Sequence, residues 1–255
     1  MSINFQNIGK QVAIIQAGKY NNKKVSISGE NDEDELSKSF TQIRLPDGKF
    51  QQTPDPESER SVIYITGPSG SGKSTYCKNY LKEYKKENKK NNIYLFSSLD
   101  EDESLDDEKL EIQRIMVGKN LVDEFLPTDE FKNSIVIFDD IDNISDKKVR
   151  ESVYAILNNI LEIGRHSNTS VLITNHLTTN GKDTRRIFNE AHAVVFFPFA
   201  GSGKGLRYMT EVYLGLDKNQ MKKIRSTKSR WCCVFKNYPP AIMTEKDLWL
   251  NFTDD

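Results

Sequence analysis

A chain of 255 residues can bury a core large enough for one domain, or for a large domain with a small appendage, and 36 Lys/Arg against 37 Asp/Glu leave a formal net charge of −1. That balance excludes a global basic field, so any nucleic-acid contact must be local, and three cysteines (Cys77, Cys232, Cys233) with three histidines are too few for a disulfide framework or a Cys/His zinc site. The N-terminus lacks a basic stretch followed by an apolar one, and no apolar run approaches the ~18 to 20 residues of a membrane helix, so a soluble intracellular protein is expected.

The first predicted elements are short β-type runs at Gln11 to Ala17, Lys24 to Ser28 and Phe40 to Leu45, separated by turn-rich stretches at Gly18 to Asn22, Gly29 to Asp34 and Pro46 to Gly48. They read as a small antiparallel module spanning residues 1–56. The polar, proline-punctuated Thr53 to Arg60 reads as a linker, which leaves 57–255 as a second domain.

From Ser61 apolar strands alternate with helical stretches, the pattern of a parallel sheet flanked by helices and thus of an α/β fold. The strand Val62 to Thr66 runs directly into Gly67, Pro68, Ser69, Gly70, Ser71, Gly72, Lys73, Ser74 and Thr75, and then into a helix reaching about Lys86. This is a complete phosphate-binding loop in the strand-loop-helix context it requires. Its glycines let successive backbone N–H groups converge on phosphate oxygens at the positive end of the helix. Lys73 is placed for the β- and γ-phosphates of ATP, and Ser74 for Mg²⁺.

A strand follows at Ile93 to Ser97, then a helix expected over Glu108 to Glu124, then the strand Ser134 to Phe138, which delivers Asp139 and Asp140 at its C-terminal end. Asp139 suits the Mg²⁺ shell and Asp140 the polarisation of an attacking water, although Asp140, Asp142 and Ser145 could equally cap the next helix, Lys147 to Ile163. After that helix, Arg165 fits either an arginine finger entering a neighbouring subunit's site or a surface arginine at a helix end. The strand Ser170 to Thr174 ends at Asn175 and His176; Asn175 can sense a γ-phosphate, or simply close a strand.

Further on, a helix is expected around Thr184 to Ala191, with Arg185 and Arg186 as weaker candidates for the arginine's task or for phosphate contact. Strands are expected at Ala193 to Phe197, near Glu211 to Leu214 and at Arg230 to Phe235, with a helix at Lys218 to Ser226. Gly201 to Gly205 contains a second Gly-Lys pair but lacks the spacing and the hydroxyl of a phosphate loop, and reads as a mobile loop. Lys222, Lys223, Arg225, Lys228 and Arg230 form a basic stretch that could contact DNA phosphates or simply be a solvated face.

The order of phosphate loop, intervening strand, acidic strand and polar strand end resembles the additional-strand (RecA-like, ASCE) class of P-loop NTPases. Within it the chain resembles the FtsK–HerA superfamily, and most closely the poxvirus-type genome-packaging ATPases of large DNA viruses. The resemblance rests on Gly67 to Ser74, on Ile137-Phe-Asp-Asp140, on Gly164-Arg-His166 with Ser170 to His176, and on Ser229-Arg-Trp231 with Tyr238-Pro239, over roughly residues 60 to 250. It implies an ATP-hydrolysing motor acting as a ring-shaped homo-oligomer that moves double-stranded DNA into a capsid without sequence preference. Arg165 would then act in trans, and Asn175 would take the place where relatives often carry glutamine. It also implies a capsid or portal partner and a location in the viral factory of the host cytoplasm or in the virion. The alternatives from the residues alone are a P-loop nucleoside or small-molecule kinase and a slow nucleotide-binding assembly switch.

Overall fold

From Val62 onward most of the strands are near-continuous apolar runs, as expected where both faces of a sheet are covered. In the computed structural model, which describes residues 1–29, 37–123, 126–179 and 181–251, five of them form a parallel sheet. Its order is Val62–Thr66, Ser170–Asn175, Ser134–Phe138, Asn92–Ser97, Ile112–Met116. Asn175 pairs with Thr66 and Ile173 with Phe138, so three strands end together at one edge of the sheet. The strand between the phosphate-loop strand and the acidic strand is Ser170–Asn175, the arrangement of the additional-strand class. The fold is α/β, as the sequence led us to expect.

The chain divides into two compact units, Ser58–Ala191 and Met1–Glu57 together with His192–Asp255. In the first, helix Lys73–Glu87 buries Tyr76, Cys77, Tyr80, Leu81 and Tyr84, one face at helical spacing. Helix Lys147–Ile163 starts at Asp146, whose carboxylate accepts from the N–H groups of Lys148 (2.9 Å) and Val149 (3.2 Å), and it buries Val149, Val153, Leu157, Ile160 and Leu161. Its other end is held by Arg60, buried although it closes the polar linker: Nη1 donates to the Ile160 carbonyl (2.9 Å) and Nη2 to that of Leu161 (2.8 Å).

The helix expected over Glu108 to Glu124 is instead a 3₁₀ turn (Glu108–Leu110), the strand Ile112–Met116 and a short helix (Asn120–Asp123); Glu124 itself lies outside the described residues. Ile112 and Ile115 stand at helical spacing, but Glu111 takes a left-handed backbone (φ 51°) and the segment pairs in parallel with Asn92–Ser97 as an edge strand. Strand pairing overrides so short a periodic signal.

In the second unit, a four-stranded antiparallel sheet runs in the order Ser2–Asn4, Lys24–Ser28, Lys10–Gln16, Lys49–Gln52. This is the small N-terminal β module, with two strands the residue pattern did not reveal; most of the turn expected at Gly29 to Asp34 lies outside the described residues. The run at Phe40 to Leu45 shrinks to Gln42–Arg44 and pairs elsewhere, against Asp247–Leu250. It thereby extends an antiparallel ladder of Ala193–Phe196, Cys232–Phe235, Ala241–Thr244 and Asp247–Leu250. The sequence grouped 192–255 with the phosphate loop, whereas compactness groups it with residues 1–57. The strand expected near Glu211 to Leu214 is a π-helical turn, Met209–Tyr213, continuing helix Gly203–Tyr208. Thr-Glu-Val-Tyr has strand-like composition, yet it is helical here, with the Thr210 hydroxyl donating back to the Leu206 carbonyl one turn earlier (3.0 Å). Helix Gly181–Glu190 starts earlier than expected, and helix Lys218–Ser226 opens with a capping box from Asp217 and Gln220. Among the described residues no helix is long and apolar enough to cross a membrane.

Candidate active site

The loop after Val62–Thr66 is tied at its start by the Gly67 N–H, which donates to the Asn175 carbonyl (3.1 Å), and turned by the Ser71 N–H onto the Pro68 carbonyl (3.2 Å). Gly70 (φ 73°) and Gly72 (φ 110°) adopt left-handed backbone; a side chain at Gly70 would meet nothing, so conformation and not space demands glycine there. Gly72 caps helix Lys73–Glu87 without a side chain, which leaves the first-turn N–H groups uncapped by it. The Ser71 hydroxyl is buried with no hydrogen-bond partner, another polar group of the loop open to a ligand. These features fit a bound polyphosphate.

Lys73 is buried, and its Nζ donates to the Gly67 carbonyl (3.0 Å) and stands 3.4 Å from Asp140 Oδ1. The ammonium thus spans the loop and the acidic pair. Asp139 is anchored through its N–H to the Phe96 carbonyl (2.9 Å), and its Oδ1 accepts from the Thr174 hydroxyl (2.7 Å). The same hydroxyl accepts from the Asp140 N–H (2.9 Å), so Thr174 fixes both carboxylate residues. Asp140 turns the chain off the strand in left-handed backbone (φ 47°), a region that aspartate tolerates better than most residues. Its Oδ2 lies 2.6 Å from His176 Nε2, while the N–H groups of His176 and Leu177 donate to the Asp142 carboxylate (3.2 and 2.8 Å).

Burial pushes the Asp139 carboxyl up to about 6; the Thr174 hydrogen bond partly opposes this, and the neighbouring Asp140 charge adds to it. A carboxylate so placed gains from a cation. Among the described residues no three His, Cys, Asp or Glu side chains cluster as a self-sufficient metal site. The donor set of the half-buried Ser74 and Asp139 fits Mg²⁺, which takes few protein ligands and shares the rest with phosphate and water. Cys77, fully buried on the adjoining helix with its thiol pushed well up by burial, is an unreactive packing residue.

The structure brings together Gly67 to Ser74, Asp139 and Asp140. It sets Asn175 apart: the side chain is fully buried, its Nδ2 donates to the Tyr64 hydroxyl (3.3 Å) and its Oδ1 has no partner, so its link to the loop is through its backbone carbonyl. Alternation along the strand makes Thr174 the side chain on the acidic pair. Thr174, His176 and Asp142 are site residues to which sequence reasoning gave no part in the chemistry, Asp142 being noted there only as a candidate helix cap. The signal that could have found them is the two-residue period, which puts Thr174 and His176 on the face opposite Asn175.

Arg165 lies beyond the C-terminus of helix Lys147–Ile163 and before Ser170, hence at the opposite end of the parallel strands from the phosphate loop of its own chain. It is exposed and pairs with Glu59. Arg186 pairs with Glu162 (2.7 Å) and Arg185 is exposed.

A family model described as an AAA domain matches residues 59–195, which include every part of this site. Protein V3 of Sputnik virophage is 40% identical over 245 residues, covering 95% of this chain and 96% of that protein. Among solved structures, the cytoplasmic domain of the type VII secretion ATPase EccC of Thermomonospora curvata matches with a TM-score of 0.51 at 11% identity, over 81% of this chain and 28% of that one. B204, the DNA-packaging ATPase of Sulfolobus turreted icosahedral virus, matches with a TM-score of 0.47 at 14% identity, over 73% of this chain and 98% of that one. The chain spans little more than a quarter of that cytoplasmic domain, and the likeness to it is one of fold. With a phosphate loop, an acidic pair and an intervening polar strand inside the matched region, the chain belongs to the AAA domain family of nucleotide-binding proteins.

Proposed function

We propose that this chain hydrolyses ATP and couples the reaction to movement of double-stranded DNA, as a genome-packaging motor of the FtsK–HerA kind. The observation that carries the hydrolytic part is the contact of Lys73 with Asp140 directly beside an uncapped phosphate loop. The loop N–H groups bind the phosphates, and Lys73 exchanges its Asp140 contact for the β- and γ-phosphate oxygens. Ser74 and Asp139 would hold Mg²⁺, which supplies charge neutralisation across the phosphates when bound. Asp140, released by Lys73, orients and deprotonates the attacking water, while His176 keeps its Oδ2 in place. Asn175 reports occupancy of the loop through its carbonyl on the Gly67 N–H. Arg165, remote from its own phosphate loop, enters a neighbouring copy's site in a homo-oligomeric ring and stabilises transition-state charge there. Engagement of a capsid or portal protein and a place in the viral factory belong to the same reading, which the motif resemblance supports.

The test is steady-state phosphate release from ATP with and without long double-stranded DNA, across protein concentration. A motor gives DNA-stimulated release that rises more steeply than protein concentration, and Asp140→Asn lowers it ~100-fold or more. Turnover blind to DNA and to concentration, or transfer of phosphate to a small acceptor, would sink the reading in favour of a switch or a kinase.

A further inference from the structure

Helices Gly203–Tyr208 and Lys218–Ser226, with the π-helical turn between them, enclose an open groove of about 450 Å³. Four cationic side chains line it, Arg207, Lys218, Lys222 and Arg225, with Met221 beside them and a single carboxylate, Glu211. Glu211 is engaged by Arg207 (3.8 Å), and among the described residues Lys218, Lys222 and Arg225 form no ion pair. In a chain whose net charge is −1 this is a strong local excess of one sign. The three stand at i, i+4 and i+7 on one helix face, a spacing at which like charges repel unless an anion lies between them.

We infer that this groove binds the phosphodiester backbone of double-stranded DNA, an assignment that rests on the motor reading above. At ~1.5 Å rise per residue the row of cations extends over roughly 10 Å. A duplex carries one phosphate charge per ~1.7 Å of its axis, so a row of this length can face more than one phosphate. The described lining contains no aromatic side chain, whereas sites for single strands rely on stacked bases. Contact is therefore made to phosphates and is indifferent to base sequence. Of the basic residues noted in the sequence, Lys222 and Arg225 belong to the groove. Lys223 lies over the Trp249 ring (4.5 Å from its centre) and donates to Gln42 (3.2 Å). Lys218 joins by its spacing on the same helix, and Arg207 through the tertiary structure.

The experiment measures anisotropy of a labelled 30-base-pair duplex with the full-length protein at several salt concentrations. The variants are K218E/K222E/R225E, the milder K222Q/R225Q, and K89E/K90E/K132E, which changes the net charge as much as the first at three exposed lysines elsewhere. The groove reversal is expected to weaken binding tenfold or more at 100 mM salt and to make the salt dependence shallower by about 2 to 3 in log–log slope. The glutamine variant falls between, the distant reversal stays within threefold of wild type, and DNA-independent phosphate release is unchanged in all three. Unaltered affinity and slope in the groove variants, or an equal loss in the distant one, overturns the groove while leaving the motor reading intact. Absence of duplex binding by the wild type overturns both. Equal affinity for a single-stranded oligonucleotide overturns the choice of duplex.

Discussion

At the scale of single residues the site turns on how Asp140 is held. Lys73 and His176 take opposite oxygens of one carboxylate, and only the first of them is needed by a phosphate. If Lys73 moves to the nucleotide as proposed, His176 stays on Oδ2 to aim Asp140, with the Thr174 hydroxyl 3.2 Å from Oδ1. His176→Ala is expected to lower kcat for ATP at least tenfold with KM changed less than threefold, and His176→Gln, which retains a donor, to recover part of it; equal losses in kcat and KM would count against a positioning role. Asp139 gives a second expectation, for stability. Its folded-state value of about 6 lies above the ordinary 3.8, so the unfolded chain releases this proton first and stability falls as pH rises from about 4 to 6. That gap corresponds to on the order of 3 kcal/mol, and Asp139→Asn abolishes it. Urea unfolding in EDTA at pH 4 to 7 should show the variant flat across that window for this contribution and more stable than wild type at pH 7, yet no longer stabilised by Mg²⁺ with nucleotide. Parallel pH profiles for the two proteins would refute the assignment.

At the scale of elements, the acidic strand and the polar strand are useful only in register. Pairing of Ser170 with Ile135 through Ile173 with Phe138 sets the Thr174 hydroxyl between the two aspartates, and a one-residue slip would present Asn175 instead. The helix that leads away from this pair depends at its far end on Arg60. A buried guanidinium making two charge-assisted bonds to helix carbonyls is worth about 2 to 3 kcal/mol. Arg60→Ala should lower the unfolding free energy by about that much, measured in denaturant, whereas a change under 0.5 kcal/mol would show that water replaces it without cost.

At the scale of the whole molecule, the N-terminal residues and the C-terminal ladder form one unit because Gln42–Arg44 supplies its edge strand. Removing residues 1–56 bares the edge of Asp247–Leu250, whose side chains are buried in the full chain. A 57–255 fragment is expected to unfold at a lower temperature and to aggregate under conditions where the full chain does not. A fragment as stable as the parent would support the sequence-based division at residue 56. Arg165 belongs to this scale too. Mixing Arg165→Ala with wild-type subunits should depress phosphate release by more than the variant's share if the arginine acts on a neighbour, and in strict proportion if it does not.

The sequence by itself determined the chemistry that lies contiguous in the chain. A strand, a loop with glycines at left-handed positions and a helix start mark a candidate phosphate site over a dozen residues, and the acidic pair at the end of an apolar run needs no distant partner to be seen. The tertiary structure alone decided what depends on pairing between remote segments: Thr174 and His176 against Asp140, Gln42–Arg44 on the C-terminal ladder, the edge strand at Ile112–Met116, and Arg207 beside the cations of helix Lys218–Ser226. Local periodicity reports which face of an element is apolar, whereas these contacts follow from strand order and register, which long-range burial selects and no short stretch of sequence encodes.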